Sequence, residues 1–174
     1  TFFDNLKKYL DHSLDFTIIG STYYKDETYA SSGMFKENEK KFYKSYEFPN
    51  SNNGLQSLVK VDWIVGCMML INLKKFKTKK ICDENFFLYF EEIDLCRGIG
   101  LIKGNIFRAE DLLIEHLGNK SSIGSSLKTK IDSEKLREWH WMWSTFYYYK
   151  KNYGYFFALK KTSGKMIKAI FKII

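Results

Sequence analysis

A chain of 174 residues with 45% hydrophobic content has the length of one domain and enough apolar material for a real core. No apolar run reaches the roughly 18 residues needed to cross a bilayer, and the N-terminus lacks a basic-then-apolar signal pattern. Cys67, Cys82 and Cys96 have no metal-type spacing, so they read as reduced core residues of a cytoplasmic protein. The net charge of +8 is uneven: residues 1–122 carry 17 bases and 17 acids, whereas residues 123–174 carry 11 bases and 3 acids. A basic segment of this kind suits an anionic membrane surface or nucleic acid.

Taken in order, Phe2, Phe3, Leu6, Tyr9 and Leu10 recur at helical spacing and predict an amphipathic helix over 2–13. Phe16 to Gly20 reads as a buried strand, and helix followed by strand is the beat of an α/β fold. Residues 21–58 are the least legible: tyrosines 23, 24, 29, 43 and 46 alternate loosely with polar residues, as in half-exposed strands, and Asn50 to Gly54 is a turn by its chemistry. Leu58 to Trp63 and Cys67 to Ile71 read as strands on either side of Gly66, which marks either a close approach or a simple bulge. Asn72 to Phe76 predicts a short helical turn, followed by a solvated basic run.

Residues 85–97 form the most unusual stretch. Phe86-Phe87-Leu88-Tyr89-Phe90 runs directly into Glu91, Glu92 and Asp94, so the acids stand where the chain leaves a core. Carboxylates in such a place can be tuned as proton acceptors. The alternative is an acidic first turn complementing the helix macrodipole. The helix is expected to end near Gly98 or Gly100, with strands at 106–108 and 112–114 closing on His116, whose ordinary role would be structural. After a Gly/Ser/Lys linker at 123–131, a helix from Ser133 carries an aromatic stripe of Leu136, Trp139, His140, Trp143, Phe146 and Tyr147, with Lys150-Lys151 in its last turn and Gly154 beyond. Such a stripe is usually core, but tryptophan and tyrosine beside lysine also suit a membrane interface. Residues 155–174 add an amphipathic helix with five lysines.

Three blocks carry a resemblance. Cys82-Asp83-Glu84 followed by Phe86 to Cys96 resembles the acidic-aromatic block of family 2 glycosyltransferases, the inverting GT-A enzymes that include rhamnosyltransferases. Val61-Asp62-Trp63-Ile64-Val65-Gly66-Cys67-Met68-Met69-Leu70-Ile71 is similar to that family's central strand block, and Glu115-His116-Leu117-Gly118-Asn119-Lys120-Ser121-Ser122 to its closing block. Three blocks in the family's order, over residues 55–122, are more specific than any one alone.

The resemblance implies an incomplete GT-A-like mixed sheet with flanking helices over residues 1–122, as the acceptor-side half of the domain, and a basic helical extension over 123–174. It implies transfer of a hexosyl or rhamnosyl group from a nucleotide-sugar donor to a glycan or lipid-linked acceptor. Glu92 stands at the position of the family's catalytic aspartate, with Glu91 beside it. Asp62, Trp63 and Gly66 would border the sugar and acceptor pocket, Asp94 and Arg97 would adjoin it, and His116 would lie by a divalent metal, Mg or Mn. The family's donor half and its D-x-D motif have no convincing counterpart here, because Asp132-Ser133-Glu134 has the spacing but follows the catalytic block. The chain starts at Thr1 without a methionine, and further sequence upstream is expected. Peripheral attachment at the inner face of the cell membrane through 133–174 is expected, and nucleic acid is not. The alternative is a non-catalytic membrane- or partner-binding remnant of the same fold.

Overall fold

The computed structural model describes residues 1–11, 14–25, 27–29, 32–38, 45–46, 58–78, 80–115 and 127–173. Their elements, in chain order, are α1 (Phe2–Asp11), β1 (Ile18–Lys25), β2 (Glu27–Tyr29), β3 (Ser32–Gly33), β4 (Ser45–Tyr46), β5 (Leu58–Lys60), β6 (Trp63–Ile64), β7 (Met69–Ile71), α2 (Glu91–Leu101), β8 (Ile106–Glu115), α3 (Leu127–Tyr153) and α4 (Tyr155–Ile173). Short 3-10 turns lie at Lys36–Asn38 and Leu73–Lys75. The fold is mixed α/β, in two compact units: residues 1–81 with 95–116, and residues 82–94 with 117–174. This division differs from one at residue 122, because the aromatic-acid junction groups with the C-terminal helices.

In the first unit, strand alternation sorts side chains onto two faces of a mixed sheet ordered β2-β1-β8-β5-β4, with β7 also on β1. β1 and β8 run parallel, with Ile18 opposite Ile106 and Ile19 opposite Phe107; β5 and β7 are antiparallel to their neighbours. Ile19, Phe107, Ala109 and Leu58 gather with Tyr9 of α1 and Phe16. Ile18, Ile106 and Val59 gather instead with Leu95, Cys96 and Ile99 of α2. The sheet is therefore covered by α1 on one face and by the later turns of α2 on the other. Each fully buried aliphatic side chain in these layers contributes about 1.5–3 kcal/mol. The buried Tyr9 hydroxyl donates to Asp111, and Asn5 Nδ2 donates to the Asp111 carbonyl at 3.2 Å, which fixes α1 against β8. Burial, reinforced by that carboxylate, pushes the Tyr9 phenol far above its ordinary range.

In the second unit, α3 and α4 pair as an antiparallel hairpin about Gly154, whose φ of +91° no L side chain adopts easily. Residues 82–90 form an irregular segment along α3. The buried face of α3 carries Ser144, Thr145 and Tyr148.

Several expectations need correction. The two predicted strands at 106–108 and 112–114 are one strand, whose register shifts between Ser21 and Thr22 of its partner, so the residues between them are accommodated as a bulge. The linker at 123–131 is helical from Leu127; residues 123–126 lie outside the described residues. The aromatic stripe is only partly the packed face of α3: Leu136, Trp139 and Trp143 are exposed and His140, Phe146 and Tyr147 half-buried, while Ser144, Thr145 and Tyr148 are buried. Small hydroxyl residues allow close approach there, and their polar atoms are satisfied locally: Ser144 Oγ donates to Leu88 O at 2.7 Å and Thr145 Oγ1 to Trp141 O at 2.6 Å. Of the cysteines, Cys96 is buried, Cys67 half-buried and Cys82 exposed, so Cys82 is not a core residue. Tyrosines 23, 24, 29 and 46 fall in strands; Tyr43 and the Asn50 to Gly54 turn lie outside the described residues.

A close approach in the first unit lies between Gly33 and Trp63, where an added Cβ would stand 2.4 Å from the indole Cζ2. Gly33→Ala should cost about 1–3 kcal/mol in urea unfolding through this overpacking, and a second change, Trp63→Leu, should recover part of the loss. An unchanged midpoint for the single variant would show that the indole moves freely.

Candidate active site

The junction begins with a turn that its own sequence dictates. Asp83 Oδ1 accepts from the Asn85 backbone N–H at 3.0 Å and from Asn85 Nδ2 at 2.8 Å, while the Asp83 carbonyl accepts from Phe86 N–H at 3.1 Å. The other carboxylate oxygen of Asp83 accepts from Tyr147 Oη at 3.0 Å and Lys151 Nζ at 2.8 Å. Lys151 also reaches Asp94 at 2.6 Å, and Asn152 Nδ2 donates to the second oxygen of Asp94 at 3.4 Å. One ammonium thus holds both ends of the 83–94 segment against α3. Burial alone would raise the Asp83 pKa, but the bonds from Lys151, Asn85 and Tyr147 outweigh it and hold the carboxyl well below the usual range.

Aromatic rings fill the space between those ends. Phe86 meets Tyr147 edge-on at 4.9 Å, Phe87 lies 4.7 Å from His140, and Tyr89 meets Trp141 edge-on at 5.1 Å. Phe90 contacts both Trp141 and Tyr148. Tyr89 and Phe90 have φ of 68° and 69°, a left-handed conformation unfavourable to bulky residues by about 1–3 kcal/mol each. Their ring contacts and the Ser144–Leu88 bond hold the backbone there. The helix starts immediately afterwards, with Asp94 N–H donating to Phe90 O at 2.8 Å.

Glu91, Glu92 and Asp94 all stand in this first turn. Asp94 is occupied by Lys151 and Asn152. Glu91 and Glu92 each have an Oε2 that is buried with no hydrogen-bond partner among the described residues. Burial, aided by the neighbouring Glu91 charge, raises the Glu92 pKa, opposed by backbone N–H groups at Glu92 and Ile93. Withdrawal from water outweighs the helix-terminal stabilisation that first-turn acids ordinarily receive. Asp83 and Asp94 are thus spent on structure, whereas the Glu92 carboxyl is withdrawn from water and meets no cation among the described residues.

The remaining predicted residues lie in the first unit. Asp62 Oδ2 accepts from Phe35 N–H at 2.8 Å, and Asp62 N–H donates to Gly33 O at 2.9 Å. Trp63 packs on Gly33 in the β3–β6 pair. Arg97 pairs with Glu37 at 2.7 Å and lies 5.1 Å over the Phe35 ring. Asp62, Trp63 and Arg97 thus converge on residues 33–37, with Asp62 and Arg97 positioning that segment. Gly66 sits in an exposed turn before β7. His116 lies outside the described residues; among those described, no group of three or more His, Cys, Asp or Glu side chains is placed to hold a metal ion.

Sequence reading missed Lys151. It was noted only as a basic residue in the last turn of a helix, and its spacing from Asp83 and Asp94 leaves no local signal. Comparison of the chain with protein-family models, with curated proteins and with solved structures finds no match to any of them.

Two outcomes follow from this geometry. Lys151→Met should destabilise the fold by about 1–2 kcal/mol at neutral pH. Asp83, whose pKa is depressed on folding, contributes stability above the unfolded carboxylate pKa and loses it as pH falls through the folded one. The Lys151→Met penalty should therefore shrink in strong acid, and a pH-independent penalty would point to packing instead. Glu92 has the opposite sign: its raised pKa means that ionisation opposes folding, fully so above the folded pKa and not at all below the unfolded one. Glu92→Gln should raise the melting temperature at neutral pH, with the difference closing below the ordinary glutamate range.

Proposed function

We propose that this chain is the acceptor-side part of a GT-A-like inverting glycosyltransferase in which Glu92 is the general base. The reading joins the three sequence blocks to one observation that carries it: the buried, unpartnered Oε2 of Glu92 with its raised pKa. In the proposed reaction the glutamate takes the proton of an acceptor hydroxyl, the freed oxygen attacks the anomeric carbon, and the bond to the nucleoside diphosphate breaks with its electron pair leaving on the phosphate. A positioned base contributes about 10²- to 10⁴-fold to such a step. The donor nucleotide and any divalent metal would be bound chiefly by residues outside the blocks found here.

Substrate classes remain those of the resemblance: a nucleotide-sugar donor and a glycan or lipid-linked acceptor. Asp62 and Arg97 would act by fixing residues 33–37, with Trp63 packed on Gly33. A second reading, favoured by the exposed Trp139, Trp143 and Phe156 among lysines, is a membrane- or partner-binding module without chemistry. In either reading the C-terminal hairpin would face the inner side of a cell membrane.

The test is transfer by the protein carrying this chain, with a panel of nucleotide sugars and acceptors. Glu92→Gln should lower transfer by about 10²-fold or more with donor affinity unchanged, and the parent rate should fall as acid protonates Glu92. Full transfer by Glu92→Gln would remove the base assignment; no donor binding under any condition would favour the second reading.

A further inference from the structure

Between α3 and α4 lies a cavity of about 490 Å³, within the range of small-ligand pockets. Tyr89, Trp141 and Met142 supply apolar wall. Thr145 and Thr162 also line it, and both commit their hydroxyls to carbonyls one turn earlier, Thr162 Oγ1 donating to Ala158 O at 2.7 Å and Thr145 Oγ1 to Trp141 O at 2.6 Å. Neither offers a free donor to an occupant.

The hairpin grades this cavity along its length. Because α3 and α4 run antiparallel about Gly154, Thr145 and Thr162 lie nearer the turn, and Arg137 and Glu138 come opposite Lys165 and Lys168 at the outer end. Three bases against one acid leave that rim positive. Lys165 and Lys168 are exposed and have no ion-pair partner among the described residues. Leu136 and Ile167, also toward the outer end, are exposed as well. An apolar slot with a cationic mouth, set among exposed aliphatic and aromatic side chains, matches a molecule with one greasy chain and an anionic head.

We propose that the α3–α4 cavity takes one aliphatic chain of an anionic membrane lipid, whose phosphate is seated by Lys165 and Lys168. This deepens the membrane-facing reading of residues 133–174 and rests on it; it does not depend on Glu92. The charged rim selects the head, and the threonine and aromatic walls take the chain.

The experiment uses the full chain and two probes. The first is chain-brominated dodecyl phosphate below its micelle concentration, which should quench tryptophan fluorescence saturably, with most of the quenching lost in Trp141→Phe. Charge reversal of Lys165 and Lys168 together to Glu should weaken this binding by about tenfold or more, while inorganic phosphate at equal concentration should not compete. The second probe is phosphatidylcholine vesicles with and without phosphatidylglycerol; flotation should require the anionic lipid.

Flotation without saturable dodecyl phosphate binding would mean surface adsorption only, overturning the single-lipid site and leaving the membrane reading intact. Failure of both probes would overturn both. Competition by inorganic phosphate would reassign the rim to a free anion. A concentration-dependent dimer in sedimentation that excludes dodecyl phosphate would assign the groove to a second copy of the chain.

Discussion

The ammonium of Lys151, shared between Asp83 and Asp94, is the interaction on which the second unit depends. It ties the two ends of a twelve-residue segment to one point on α3, and the segment between is then short enough for its rings to find a single arrangement. Without that tie, Tyr89 and Phe90 would have little reason to remain left-handed. A strained backbone persists only when its surroundings over-determine it, and here the surroundings are Trp141, Tyr148 and Ser144. The start of α2, and with it the position of Glu92, inherits its definition from that clamp.

Four of the five acids in residues 83–94 meet different fates for reasons of environment. Asp83 and Asp94 share the Lys151 cation as structural anchors, and Asp83 is thereby held ionised. Glu91 and Glu92 are partly removed from water and meet no cation among the described residues, and the carboxyl of Glu92 resists ionisation. A carboxylate that is poised rather than satisfied is what proton transfer requires, and this contrast within one short segment is the physical basis for proposing chemistry at Glu92.

The first unit rests on a different constraint. Consecutive residues of β1, β5 and β8 point to opposite faces, so each strand feeds two packed layers at once, one under α1 and one under α2. Close approach at Gly33 lets the Trp63 indole lie against the backbone, and Asp62 holds the chain that follows. Asp62, Trp63 and Arg97, which the resemblance would put at a pocket, serve here to shape the segment 33–37. Positioning and binding are compatible roles for such side chains, since rigid support is what a binding surface needs.

Periodicity in the sequence was sufficient for α1, for the helical turn at Leu73–Lys75, for the α3–α4 pair and for the strand character of residues 18–20, 58–60 and 69–71, because each rests on local spacing that any fold would have to respect. The acidic start of α2 was also legible, with Glu91, Glu92 and Asp94 all in its first turn. What spacing did not reveal was the face of α3 that is buried: Leu136, Trp139 and Trp143 advertise a core yet are exposed, and Ser144 and Thr145 are buried beside Tyr148, with their hydroxyls bonded to Leu88 O and Trp141 O. Nor did it reveal that β8 is one bulged strand, that Arg97 is paired with Glu37, or that Lys151 bridges Asp83 and Asp94. Those pairings join residues about 60 positions apart, and only tertiary structure selects, among many lysines and many acids, the ones whose charges are brought together away from water.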